Sequence, residues 1–287
     1  FRQFNHKEIT FSLMYAFSEN FVLPLSHDEV VHMKGSLVNK MPGTDAEKFA
    51  GVRAFYTYML THPGKKLLMM GCEFGQWNEW HYEQSLDWHL LEMDNEDGER
   101  HRTLQTFFQE ANALYLAQNA LWEDDFTWEG FQWLCPDDHQ GNCVAFLRWN
   151  SAGKPLAVLC NFSPIHREGY RMGVPFRGRW KVILNTDELR FGGQGLGDQG
   201  DLVSQDLPCH GQDQSIVVDL PPMSSLILQC VRKFPGRRVK KEESPAPAAK
   251  GTAAAKAKKS RASKSPASAN TKTPSDQPRR SRKPKAN

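Results

Sequence analysis

No apolar run in this 287-residue sequence approaches the length of a membrane span. Nor is there an initiator Met. The chain begins at Phe1, with neither a basic region nor an apolar stretch of the kind that directs secretion, and this start reads as an interior cut. The six cysteines, Cys72, Cys135, Cys143, Cys160, Cys209 and Cys230, are scattered without a single C-x-x-C pair. That scatter suits reduced thiols in a cytosol better than a disulfide framework, so a soluble, cytoplasmic protein is the expectation. Where a cysteine sits in an apolar run, as in Leu159-Cys160-Asn161, it reads as core filling.

What the sequence does have is charge, unevenly divided. The net charge is only +3, yet from Arg232 onward there are 18 of the 36 Lys and Arg residues against 3 of the 33 acidic ones. That stretch carries +15 and leaves −12 on the remainder. It is built of Lys, Ala, Pro and Ser, with almost no apolar residue beyond Phe234 and Val239. Such a segment buries too little surface to offset its ordering entropy, so residues 232–287 read as a disordered basic tail. Beyond Phe234 it has no aromatic residue to stack on a base. Its bland reading is a solvated appendage, and its functional one is weak, salt-sensitive polyanion binding.

The folded part divides by periodicity. Residues His6 to Ser18 place Ile9, Leu13, Ala16 and Phe17 at helical spacing. The run Phe21–Leu25 reads as a buried strand, with Pro24 tolerable only near the strand's end. Thr44-Asp-Ala-Glu47 is a capping box that opens a helix lined by Phe49, Val52, Tyr56, Met59 and Leu60, and His62-Pro63-Gly64 closes it. A second buried strand spans Leu67–Met70, and another amphipathic helix runs from about Glu99 to Ala117, its inner side formed by Leu104, Phe107, Phe108, Ala111, Leu114 and Tyr115.

This β-α-β-α order implies parallel strands joined by crossover helices. The helix-to-strand link is short. Both links that follow strands, Ser26–Gly43 and Gly71–Gly98, are long and rich in His, Trp, Asp and Glu. Long loops in a compact domain are usually functional, and in a β/α barrel they lie on one face. After Phe126 the pattern changes to short runs with β-branched enrichment: Phe131–Leu134, Cys143–Trp149, Leu156–Phe162, Trp180–Leu184, Ser215–Asp219 and Ser225–Val231. That is an all-β module, read as an antiparallel sandwich.

The polar end of the first strand, Ser26-His-Asp-Glu29, is where chemistry is expected. Adjacent imidazole and carboxylates suit a polyol, a metal or a proton in transit, and the bland alternative is a polar surface turn. The triplet His27-Asp28-Glu29 has no metal-ligand spacing comparable to H-E-x-x-H, so metal is the weaker reading. Trp77, Trp80, Tyr82 and Trp88 cluster on the loop after the second strand. Sugars stack on such rings, and packing beneath a long loop is the competing reading.

Leu23-Pro-Leu-Ser-His-Asp-Glu-Val-Val-His32, followed by Met33-Lys-Gly-Ser36, resembles the fourth signature region of 1,4-α-glucan branching enzymes of the α-amylase superfamily. His62-Pro-Gly-Lys-Lys66, Met70-Gly-Cys-Glu-Phe-Gly-Gln-Trp77 and Ser85-Leu-Asp-Trp-His89 extend the likeness. Cys160-Asn-Phe-Ser163, Asn185-Thr-Asp187 and Gly192-Gly-Gln-Gly195 are similar to that family's C-terminal domain. The likeness covers residues 1–231 in one register. It implies an α/β plus all-β chain: residues 1–122 as the last two strands and helices of a (β/α)8 barrel, residues 123–231 as a C-terminal β-sandwich, then the tail.

The same resemblance implies a retaining transfer of a cleaved α-1,4-glucan segment to a 6-hydroxyl, forming α-1,6 branches in glycogen synthesis. That chemistry needs a carboxylate nucleophile, a carboxylic acid and, by the resemblance, a third carboxylate on the sugar's 2- and 3-hydroxyls. By the motif match Asp28 is the third carboxylate and His27 donates to the same sugar. Trp77, Glu73 and Trp80 are the candidate substrate contacts, Trp77 favoured. No redox cofactor, nucleotide or metal is required. The partners implied are the glucan and the rest of the enzyme, with no membrane.

The family's nucleophile and acid lie on earlier strands, and no D-G-x-R-x-D segment precedes Phe21. Glu73 and Asp87 lie on the right face but are given supporting roles. Three other readings stay open: an α-amylase-type hydrolase or other transglycosylase, a non-catalytic glucan-binding fragment, and a basic-tailed nucleic-acid binder.

Overall fold

Two parallel strands and the helix that crosses between them organise the first part of the chain. The computed structural model describes residues 2–235, so most of the basic tail lies outside the described residues. Strand β1 (Val22–Leu25) pairs in parallel with β2 (Lys65–Leu68), Val22 opposite Lys65 and Leu25 opposite Leu68. A short helix α1 (Lys7–Thr10) precedes β1, and α2 (Asp45–Thr61) joins β1 to β2. The expected capping box forms: the Thr44 hydroxyl accepts from the Glu47 N–H, and the Thr44 N–H donates to Glu47 Oε2 at 2.7 Å. Phe49, Val52, Tyr56, Met59 and Leu60 are all buried.

Three local expectations need correcting. The His6–Ser18 stretch is not one helix. After a single α turn it tightens to a 3-10 turn at Phe11–Met14, because the run Ile9-Thr10-Phe11 is a poor helix former and His6 supplies no side-chain cap. Second, β1 and β2 are half exposed rather than buried, with Val22 54% and Leu67 46% accessible, since among the described residues their sheet has just these two strands. Third, β2 starts at Lys65, two residues before the expected Leu67.

Pro24 fits this geometry. The Lys65 N–H donates to the Phe21 carbonyl at 3.0 Å, so by the alternation of a parallel ladder Phe21, Leu23 and Leu25 turn their backbone groups toward β2. Pro24 turns its missing donor away from β2, so the β1–β2 ladder loses no bond.

Helix α3 (Glu96–Ala117) begins three residues earlier than its periodicity indicates, because the Asn95 side chain accepts from the Gly98 N–H at 2.9 Å. Leu104, Phe107, Phe108 and Ala111 are buried, and Leu114 and Tyr115 pack at the margin.

The all-β module contains β3 (Phe131–Asp138), β4 (Cys143–Trp149), β5 (Pro155–Asn161), β6 (Arg167–Val174), β7 (Gly178–Asn185), β8 (Leu202–Val203), β9 (Gln214–Leu220) and β10 (Ser224–Lys233). Its larger sheet has the order β3-β4-β5-β10-β7-β8, and β6 pairs with β9 in a second sheet. Every pairing in the module is antiparallel.

Side chains alternate between two cores. Ala145, Leu147, Ala157 and Leu159 face β6 and β9, while Val144, Phe146, Val158 and Cys160 face the Leu13 and Ala54 side. Leu156, Leu184 and Ile227 join the core of α2 and α3. The larger sheet is therefore covered on both faces, which explains why Leu156–Phe162 is a continuous apolar run.

The two motifs Asn185-Thr-Asp187 and Gly192-Gly-Gln-Gly195 meet. Asp187 accepts from the N–H groups of Gln194 and Leu196, each at 3.1 Å, and buried Arg53 of α2 donates to the Thr186 carbonyl at 2.8 Å. A Cβ at Gly193 would lie 2.2 Å from the Asp187 carbonyl oxygen, so no larger residue fits there. These motifs fasten the β-module to α2.

His62, at the end of α2, is buried. Its Nδ1 faces the Pro63 carbonyl and its Nε2 the Ser12 hydroxyl, both at 2.8 Å. A carbonyl only accepts, so Nδ1 carries the hydrogen, and Nε2 accepts from the Ser12 hydroxyl when the ring is neutral. Burial pushes its pKa down to about 4, from an ordinary value of 6.5. A depressed folded value means stability present above pH 6.5 and lost as pH falls through 4, worth about 3 kcal/mol over that window. Denaturation midpoints should therefore fall more between pH 7 and 4 in the parent than in His62→Gln. Equal losses in the two would show that His62 does not titrate with folding.

Candidate functional site

Strand β1 ends at buried Leu25, and Ser26 then caps a 3-10 turn, His27–Glu29. The Ser26 hydroxyl accepts from the Asp28 N–H at 3.1 Å. In return the Ser26 N–H and hydroxyl donate to Glu29 Oε2 at 2.5 and 2.8 Å. Burial pushes the Glu29 carboxyl up, but the two donations from Ser26 outweigh it and hold it below the ordinary carboxylate range. Glu29 thus closes the turn. The other two side chains point outward: His27 is 54% and Asp28 71% exposed, with Nε2 and Oδ1 3.5 Å apart.

The loop after β2 comes up against this turn. The Trp80 N–H donates to the Val30 carbonyl at 2.8 Å, and its ring meets the His27 ring edge-on at a centroid distance of 5.7 Å. Glu79 accepts from the Met33 N–H at 2.8 Å and from the Gly35 N–H at 2.6 Å, one per carboxylate oxygen. These donors hold the Glu79 carboxyl below its ordinary range. Between them Lys34 donates to the Asp28 carbonyl at 2.7 Å. Asn39 donates to the Trp77 carbonyl, also at 2.7 Å. Two loops that are far apart in sequence form one surface.

The sequence-predicted site residues divide. His27, Asp28 and Trp80 come together. Trp77, the favoured sugar contact, turns into the space between α2 and α3. Its ring lies 5.7 Å from Phe49 and 5.8 Å from His101, its indole N–H faces Asp97 Oδ2 at 3.3 Å, and Lys48 sits over it. Glu73 accepts from the Gly71 N–H at 2.7 Å and braces the left-handed turn at Gly71. Asp87 accepts from both the backbone and side-chain N–H groups of Asn78. Tyr82 stands exposed, stacked on His81. Glu79 escaped the sequence reading, because its partners are backbone N–H groups 44 and 46 positions away, which leave no local signal.

A cleft of about 470 Å³ opens beside Asp28, between Leu25, Lys34, Leu37, Met41 and Phe55. A trough of the same volume along Ile9, Leu23, Phe55 and Tyr58 is chiefly apolar and offers one carboxylate, Glu8. The first also holds Glu29 and Lys40, so it brings more ionisable groups together. An exposed carboxylate beside an imidazole and an indole edge can grip adjacent hydroxyls of a polyol. Glu29, Glu73, Glu79 and Asp87 of the two loops each accept backbone N–H groups. Among the described residues no group of three or more His, Cys, Asp or Glu is arranged to hold a metal ion, and no helix is long and apolar enough to cross a membrane.

Comparison with known proteins fits this architecture. Residues 133–231 match the family described as alpha amylase, C-terminal all-beta domain. A 1,4-alpha-glucan branching enzyme of Pseudomonas putida is 48% identical over 228 residues, 79% of this chain and 30% of that protein. One of Aquifex aeolicus is 49% identical over 230 residues, 80% of this chain and 36% of the relative, and one of Rhizobium etli is 49% identical over 228 residues, 79% and 30%. The chain spans about a third of the length of these relatives. An alpha-amylase from H. orenii superposes with a TM-score of 0.39 at 17% identity, over 73% of this chain and 39% of that one, too slight a likeness to place the fold.

Proposed function

We propose that this chain, which belongs to the bacterial 1,4-alpha-glucan branching enzymes as a C-terminal portion of them, supplies the transition-state-stabilising corner of a glucan-transferring site. In this reading residues 1–122 are the last two strands and helices of a (β/α)8 barrel, and residues 123–231 are the all-β domain behind them. The observation that carries it is the exposed Asp28–His27 pair at the tip of a parallel strand, met by Trp80 from the next strand's loop. The parallel pairing of β1 with β2, with both long loops at the strands' C-terminal ends, supports the barrel reading.

The reaction is a retaining transfer. A glucan link is cleaved, the donor is held as a covalent glycosyl-enzyme, and a 6-hydroxyl of another chain receives it. Asp28 accepts from the donor sugar's 2- and 3-hydroxyls and stabilises positive charge as the ring flattens. His27 donates to the same sugar, and Trp80 covers one side of it. The nucleophile and the general acid come from outside these residues. The bond energy of the cleaved link is retained in the covalent intermediate, so no nucleotide or redox cofactor takes part. Trp77 and Glu73 act at one remove, holding the second loop.

Linkage analysis of amylose treated with the full polypeptide tests this reading. A rising α-1,6 fraction is expected, whereas shortening without new branches would assign a hydrolase. The 287-residue chain by itself should leave the iodine stain of amylose unchanged, because two strands close no barrel and the nucleophile is missing. Stain loss with the isolated chain would refute that.

A further inference from the structure

We infer that Glu79 is a positioning residue for the reaction, holding the loop that follows Asp28 so that Asp28 and His27 meet the sugar in a fixed geometry. This rests on the reading of Asp28 given above and deepens it. The 3-10 turn bearing His27 and Asp28 is tied to β1 on one side only, through the Ser26–Glu29 cap. On the other side Val30 is buried in the core beside α2, and from there the chain runs out to Lys34 with no strand or long helix, Met33 adopting a left-handed conformation, φ 67°. A non-glycine residue keeps that conformation only when its surroundings enforce it.

Glu79 supplies the enforcement. Its two oxygens take the N–H groups of Met33 and Gly35, which flank Lys34, and Lys34 then reaches back to the Asp28 carbonyl. The next residue, Trp80, bonds Val30 and abuts the His27 ring. One carboxylate from the second loop thereby fixes the backbone on the far side of the Asp28 turn. Glutamine at this place would present an NH2 group to one of the two N–H donors, and aspartate is one methylene too short to reach both. Catalytic groups misplaced by about 1 Å lose on the order of 10²-fold in rate.

The test uses the full-length polypeptide with Glu79→Gln, Glu79→Asp and Asp28→Asn, and Glu92→Gln as the control on the same loop, measured for kcat, KM and melting temperature. Glu79→Gln is expected to lower kcat by about 10- to 100-fold with KM changed less than about threefold. Glu79→Asp, which keeps the charge and one bond, should recover part of that loss, and the control should match the parent. A Glu79→Gln kcat within twofold of the parent, with Asp28→Asn inactive, would overturn the positioning role alone. A fall in melting temperature that accounts for the lost activity, with KM and kcat moving together and no recovery in Glu79→Asp, would overturn it in favour of a purely structural one. Turnover retained in Asp28→Asn would overturn the site reading and this inference with it.

Discussion

Asp28→Asn, made in the full-length polypeptide, is expected to reduce branching turnover by about 10³-fold while leaving glucan binding near the parent value. The substitution is unusually clean, because the turn does not use the carboxylate. The Asp28 N–H donates to the Ser26 hydroxyl and its carbonyl accepts from Lys34, and asparagine keeps both backbone groups. The side chain is 71% exposed, so the change in stability should stay within about 0.5 kcal/mol. Under the proposed function, what is lost is a negative charge where positive charge develops on the sugar, an interaction stronger in the transition state than in the ground state. Kinetics with amylose, co-sedimentation with glycogen and a melting curve separate these effects. Turnover within tenfold of the parent, in a folded variant, would remove Asp28 from the mechanism.

The largest stability effect is expected at Arg148, where alanine should cost about 3–5 kcal/mol. This side chain of β4 is fully buried. Its guanidinium donates to the carbonyls of Thr61 at 2.7 Å, Gly130 at 3.1 Å and Asp124 at 3.2 Å, and to Asp125 Oδ1 at 2.7 Å. Burial pulls its pKa down, and Asp125, also buried, works against that pull. The residue therefore links the end of α2, the approach to β3 and β4 itself.

Alanine would strand three carbonyls and leave Asp125, among the described residues, with Lys65 at 3.0 Å from its other oxygen. Denaturation midpoints of the single variants Arg148→Ala and Asp125→Asn and of the double variant measure the coupling. The double variant should lose less than the two singles together, because the unpaired buried carboxylate is gone. Additivity within about 0.5 kcal/mol would mean that the pair does not act as a unit.

The sequence exposed elements whose causes are local. The Thr44–Glu47 box and the face Phe49, Val52, Tyr56, Met59 and Leu60 describe α2 as it stands. Most strands of the β-module lie within a residue or two of their apolar runs. Strand β6 was not legible. Arg167-Glu-Gly-Tyr-Arg-Met-Gly-Val174 holds two glycines and three charged residues, and it is a strand because β9 pairs with it from Arg167 opposite Leu220 to Val174 opposite Gln214. Tertiary pairing overrides weak propensity there. Strand β8, two residues held by β7, is a second case.

The site divides the same way. His27 and Asp28 were named from sequence because their place at a strand's polar end, and the motif around them, are properties of consecutive residues. That Glu29 turns inward to close its own cap, that Trp80 rather than Trp77 meets His27, and that Glu79 holds the loop beyond them were decided only by tertiary structure. A motif fixes which residue types stand in a row. Which of two tryptophans three positions apart faces the site depends on what α2 and α3 place beneath each ring. Where a carboxylate finds backbone donors depends on how two loops meet in space, and neither loop carries that information alone.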